Sequence, residues 1–261
     1  MNYQPYTIFS LPRTGSTNLA RLLSLHPDGS CLIEPFHPRR YSGQYASVAQ
    51  DWQGLIECLQ LISYRWRGIK HVCEADGFPF RDPSFNLDML RISGRKTIFL
   101  KRNNLLQRAV SNWISRHTHF WMGSVDQFRD HFTRTKLPTI SLDEIRRQVM
   151  ADQRFNSECV QILASREIDS YVVVSYEELF ERGALPRDLL QRIFTFLSLE
   201  VGEASNLWSE GSKLFDFPSN RYATPEIYRA IPGIEEVEAA LAGPDNGRLF
   251  TSSGLEETSV L

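Results

Sequence analysis

Pro12-Arg13-Thr14-Gly15-Ser16-Thr17 lies between a β-prone run, Tyr6-Thr7-Ile8-Phe9-Ser10, and leucines 19, 22, 23 and 25, which keep helical spacing up to His26-Pro27. A strand that turns through a glycine into a helix directs free backbone N–H groups and the positive end of the helix dipole at one spot. That spot suits an anion. Arg13 adds a fixed charge and a planar donor fork. Ser16 and Thr17 offer hydroxyls and can cap the helix, and Gly15 permits a close backbone approach. The Walker pattern G-x-x-x-x-G-K-[ST] is not met, because one glycine stands without the lysine. No acidic residue suited to Mg²⁺ is evident at a strand end. An ordinary capped turn is the plain alternative for this loop alone.

A second cationic strand end follows. Lys96–Lys101 (KTIFLK) reads as a strand that runs into a helix from about Leu105 to Arg116, with Arg102 at the junction. In that helix Leu106, Ala109, Val110 and Trp113 form an apolar stripe, and Arg108, Ser111 and Ser115 recur on another face. Open parallel sheets bind ligands at the carboxyl ends of their strands, where Arg13 and Arg102 both fall. Two such cations suit a ligand with two separated anionic groups.

A general base is sought in Ile33-Glu34-Pro35-Phe36-His37-Pro38. Glu34 requires its pKa raised toward neutrality, whereas His37 requires no such tuning. The alternatives are an ion pair of Glu34 with Arg39 or Arg40, and a plain loop histidine at 37. His71, His117 and His119 are weaker candidates. Trp52, Trp66, Phe78, Phe80, Phe120 and Trp121 suit an acceptor pocket, although at these spacings aromatics are more often core.

The segment PRTGSTNLARLLSLHPD resembles the 5'-phosphosulfate loop of PAPS-dependent sulfotransferases (PAPS is 3'-phosphoadenosine-5'-phosphosulfate), in the Arg-containing form typical of carbohydrate and bacterial enzymes. IFLKRNNLLQRAVS resembles their 3'-phosphate motif, with Arg102 and Ser111 nine apart in an R-x-N-L-L-x-x-x-V-S pattern. VVSYEELFERG and LLQRIFTFLSL are similar to the strand, helix cap and helix that follow. The likeness spans about residues 5–35 and 95–200. It implies sulfuryl transfer from PAPS to a hydroxyl of a carbohydrate, lipid or small natural-product acceptor, with PAP as product and no metal. Arg13, Thr14, Gly15, Ser16, Thr17, Arg102 and Ser111 would bind the donor, and Glu34 matches the proposed base. No R-K-G-x-x-G-D-W segment is present, and Arg221 is a substitute candidate. A P-loop-type kinase and a non-catalytic nucleotide-binding module are the rival readings.

The elements that must position these groups alternate. Further strands are expected at 31–33, 69–72 and 171–175, and helices at 52–66, 141–166 and 186–198. This pattern predicts an α/β, P-loop-like three-layer fold with a central parallel sheet flanked by helices. A single domain over 1–261 is expected, with 36–94 as an acceptor-side insertion and 243–261 as a flexible or closing tail. Apolar residues at 42% and charged residues at 23% fit a globular chain. A net charge of −2 gives no general pull toward nucleic acid. Cys31, Cys58, Cys73 and Cys159 form no C-x-x-C pair, so no zinc or redox signature appears. With no signal peptide and no long apolar run, the expectation is a cytoplasmic protein without a membrane span. Its partners would be PAPS and the acceptor, with a homodimer left open.

Overall fold

The strands are short and mostly buried, as expected where a parallel sheet is covered on both faces. A computed structural model describes residues 4–80, 82–121, 123–180, 185–202, 206–215 and 224–250. Five strands, β1 (Tyr6–Ser10), β2 (Cys31–Ile33), β3 (Gly68–Val72), β4 (Lys96–Lys101) and β5 (Tyr171–Ser175), pair in parallel in the order β2-β3-β1-β4-β5. The α/β arrangement expected from the alternation is present. β3 lies within 36–94 and is an internal strand of the sheet, between β2 and β1.

Twelve helices accompany the strands among the described residues: α1 (Ser16–Leu23), α2 (Gln44–Val48), α3 (Trp52–Ser63), α4 (Pro83–Asp88), α5 (Leu105–Thr118), α6 (Val125–Arg134), α7 (Leu142–Ala164), α8 (Tyr176–Phe180), α9 (Arg187–Phe196), α10 (Asn206–Leu214), α11 (Pro225–Arg229) and α12 (Ile234–Leu241). The period of two along each strand divides the core. Tyr6, Ile8, Ile98, Leu100 and Val174 pack on one face with residues of α1, α9 and α10. Leu32, Phe9, Ile69, Phe99 and Val173 pack on the other face with residues of α3 and α7. A third cluster joins α5 to α6, α7, α11 and α12. None of the described helices is long and apolar enough to cross a membrane.

α5 departs from its expected pattern. Its polar face does not meet solvent: Arg108, Ser111, Asn112 and Ser115 are all buried. α7 covers that side, and Arg108 pairs with its Asp152 at 2.5 Å, both side chains fully shielded. The periodicity located the two faces, but a second polar helix packs on one of them.

The site lies at the carboxyl end of β1. The chain leaves β1 for β2 on one side of it, and later places β4 on the other, so this strand end is a topological switch point.

Candidate active site

Gly15 occupies the N-cap position of α1 with φ 78°. A β-carbon there would lie 2.3 Å from Phe180 Cε2, so the position requires glycine for both conformation and space. Ser16 and Thr17 do not cap the helix as expected; α1 has no side-chain cap. The Thr14 hydroxyl turns back to the Leu11 carbonyl at 2.9 Å, and the Thr17 hydroxyl accepts from Lys70 Nζ at 2.7 Å. No side chain caps the first-turn amides of α1, of which that of Asn18 donates to the Gly15 carbonyl at 3.0 Å. Arg13 sits at φ 66° and Glu34 at φ 53°, left-handed conformations that cost a non-glycine residue about 1–2 kcal/mol. Such strain at two polar residues of one cavity is characteristic of functional sites.

The two expected anion sites are contiguous. Arg13 Nε donates to Ser111 Oγ at 3.1 Å, and Arg102 Nη1 donates to the Arg13 carbonyl at 3.2 Å. Arg102 stacks its guanidinium 4.2 Å from the centroid of the Tyr176 ring and gives Nη2 to Gln107 Oε1 at 2.7 Å. Its Nε is buried and has no partner among the described residues. Supports surround this arginine. The Glu177 carboxylate accepts from the amides of Asn103 and Asn104 at 3.0 and 2.9 Å, anchoring the turn into α5. Gln107 and Asn104 both donate to the Arg248 carbonyl, at 2.9 and 2.8 Å, so the segment after α12 lies on the start of α5. Arg221, the lid candidate, falls outside the described residues.

Glu34 directly follows β2 and makes two ion pairs, with Lys70 at 2.6 Å and with Arg40 at 3.0 Å. Its partners therefore include Arg40, one of the two arginines expected, and a lysine that the sequence reading passed over. Burial pushes the Glu34 carboxyl up, but the charge and hydrogen bond of Lys70, then Arg40 and His37, outweigh it and hold the pKa below the ordinary value. The rise toward neutrality that would make Glu34 a tuned base is not found, because two cations converge on the carboxylate; it stands ionised and ready to accept a proton, but as a weaker base. Lys70 responds differently. Burial lowers its pKa against the pull of Glu34, since its side chain is 3% exposed and that of Glu34 17%. The deeper partner bears more of the desolvation.

His37 also borders the cavity. Its Nδ1 accepts the Arg39 amide at 3.1 Å, and its ring meets Phe78 edge-on at 5.2 Å. The neutral tautomer with Nδ1 accepting carries its proton on Nε2. His71 points to the opposite sheet face, where Nε2 meets Asn86 Oδ1 at 2.8 Å, and burial lowers its pKa to about 4. His117 donates to the Trp113 carbonyl. His119 takes the left-handed C-cap of α5 and lines the cavity.

The cavity holds about 1150 Å³ and brings together Arg13, Gly15, Ser16, Thr17, Glu34, His37, Arg102 and Ser111. Thr14 is buried behind the loop and is not among its lining residues. Of the six aromatics singled out, Phe78 and Trp121 border it. Phe80 packs against Phe36 and Phe85, and Phe120 against Phe128. Lys70 and Glu74 are cavity residues that sequence reasoning missed. Lys70 left a signal: it is a permanent charge in the middle of a strand whose sheet is buried on both faces, and such a charge needs a partner.

No family model matches the chain, and no curated protein matches it. Among solved structures it is similar to a sulfotransferase from Alicyclobacillus acidocaldarius, with 15% identity over 81% of this chain and 91% of that one, at a TM-score of 0.42. The sulfotransferase domain from the curacin biosynthetic pathway is 12% identical over 92% and 98%, at a TM-score of 0.43. A retinol dehydratase in a complex with retinol and PAP is 12% identical over 98% and 75%, at a TM-score of 0.46.

Proposed function

We propose that this chain is an enzyme that transfers a sulfuryl group from PAPS to a hydroxyl acceptor, with Glu34 as general base. One observation carries the reading: the uncapped start of α1, Arg13, Lys70, Arg102 and Ser111 converge with an ionised carboxylate on a single cavity. Backbone amides and three cations suit a donor with several negative charges on separated groups. The cavity volume exceeds the upper range of about 1000 Å³ common for one small ligand, which leaves room for an acceptor beside a nucleotide.

PAPS supplies the activated sulfur–oxygen bond. As the acceptor oxygen bonds to sulfur in line, the bond from sulfur to the 5'-phosphate oxygen breaks. Glu34 takes the hydroxyl proton. Arg13, Lys70 and the first-turn amides oppose the charge that grows on the leaving phosphate, a preorganised electrostatic contribution. Arg102 and Ser111 hold the 3'-phosphate. The acceptor is a carbohydrate, lipid or small natural-product alcohol.

The test is a thermal-denaturation screen followed by a transfer assay. PAP at 100 times its Kd should stabilise the chain by about 2.7 kcal/mol without Mg²⁺. Incubation with PAPS and an acceptor panel should then yield products heavier by one sulfuryl group. Stabilisation only by Mg-ATP reverses the reading to a kinase, and PAP binding without transfer to any acceptor reduces it to a nucleotide-binding module.

A further inference from the structure

Arg102 is 6% exposed and lines the cavity, and its partners among the described residues are all neutral: the Arg13 carbonyl, the Gln107 side-chain oxygen and the face of the Tyr176 ring. A buried charge without a counter-charge is costly, so this arrangement suits a site that an anion completes. Gln107 is buried behind Arg102, and its amide is committed at both ends. Oε1 accepts from Arg102 Nη2 at 2.7 Å, and Nε2 donates to the Arg248 carbonyl at 2.9 Å. A flipped amide would set N–H against N–H on one side and oxygen against oxygen on the other, so its direction is fixed. The turn that carries Arg248 is held in its own right. Gly243 and Gly247 exchange backbone hydrogen bonds of 3.1 and 2.8 Å, and the Asn246 carbonyl accepts from the Leu106 amide at 2.9 Å. The Asn246 side chain donates to the Leu241 carbonyl and accepts from Gln153, each at 2.9 Å. Residues 243–248 are thus tied to α5, α7 and α12, and through Gln107 they reach Arg102.

We propose that Gln107 is a positioning residue for Arg102, braced by the turn of residues 243–248, and that it sets the preference for a donor with a 3'-phosphate over one without it. This rests on the PAPS reading of the same cavity. The neutral amide fixes the direction of the guanidinium without cancelling its charge, which leaves that charge to the phosphate. A glutamate would also accept from Arg102, but it would bring a counter-charge and set a carboxylate oxygen against the Arg248 carbonyl. A methionine would keep most of the volume and remove both hydrogen bonds.

Calorimetry on the full chain measures the Kd of PAP and of adenosine 5'-phosphate, which lacks the 3'-phosphate. The native chain should prefer PAP by about 10- to 100-fold. Gln107→Glu and Gln107→Met should each cut that preference to about threefold or less, with adenosine 5'-phosphate affinity held within about twofold. In an Arg102→Ala background Gln107→Met should change PAP affinity by less than about twofold, because its effect passes through Arg102. Gly247→Ala, whose added methyl would collide with the Asn104 side chain, should lower the preference from the far side of the brace. Several results overturn the proposal: equal losses for both nucleotides in the Gln107 variants, a preference that survives them, or a Gln107→Met loss that persists in full without Arg102. If one Gln107 variant fails to fold the other decides, and failure of both makes the residue structural and overturns the proposal. A native chain that binds both nucleotides equally overturns it and leaves an adenine-nucleotide site standing. A native chain that binds neither removes the donor reading as well.

Discussion

Lys70 Nζ lies 2.6 Å from Glu34 Oε1 and 2.7 Å from Thr17 Oγ1, so one buried ammonium joins the carboxylate that follows β2 to the loop of residues 12–17. The two halves of the proposed reaction are therefore electrostatically linked. While Glu34 is charged, Lys70 is shared with it. When Glu34 takes a proton, the whole of that positive charge becomes available to the leaving group.

Glu34→Gln should reduce kcat by about 10²- to 10⁴-fold, the usual range for a general base, and leave PAP affinity within a few-fold by calorimetry. Because the carboxyl is held below its ordinary value, the base form persists through neutral and mildly acidic pH. The acid limb of the kcat profile should then fall below the unperturbed glutamate value of about 4.3. A near-native rate in Glu34→Gln, together with a limb that disappears in His37→Ala, would move the base to His37.

Arg13 and Ser111 share a hydrogen bond of 3.1 Å and should act as a unit on the donor. Arg13→Ala and Ser111→Ala are each expected to weaken PAP binding, the first by about 10- to 100-fold as suits charge-assisted bonds. Their double mutant should be less impaired than the product of the singles. Additive losses, or unchanged PAP affinity in Arg13→Ala, would reject the shared role.

Asp152→Ala removes both the charge and the acceptor oxygens beside buried Arg108 and should cost about 3–5 kcal/mol, read as a lower Tm. Arg108 Nη1 also reaches the Pro12 carbonyl at 3.4 Å, so the damage extends to the anion loop. Burial pushes the Asp152 carboxyl up to about 6 against the pull of Arg108 and Gln148. Between the unfolded value of about 3.9 and that value, the folded chain holds more protons than the unfolded one. Its contribution to stability therefore falls as pH rises through that window. Chemical denaturation from pH 4 to 6 should show this decline in the native chain and its loss in Asp152→Ala.

Gly15→Ala should destabilise the chain by at least about 1–2 kcal/mol, because the backbone is left-handed and the added methyl meets Phe180. PAP binding should weaken as well, since the start of α1 must shift. A chemical-denaturation midpoint equal to the native one would contradict this geometry.

Sequence alone determined the strands, the order in which they meet helices, and the loop of residues 12–17, because strand alternation and glycine-marked turns are local properties. Arg13, Arg102 and Ser111 were legible for the same reason, each being tied to a strand end or to the first turns of a helix. What only tertiary structure decided concerns partners distant in the chain. Lys70 reaches Glu34 because β3 pairs with β2 with Lys70 opposite Ile33. Arg108 is buried because α7 brings Asp152 to it. The pKa of Glu34 is lowered rather than raised because two cations from different segments converge on it, and Glu74 joins the cavity wall only once the turn after β3 folds back. Charge and desolvation act through space, so sequence could name the groups but not the field in which each one works.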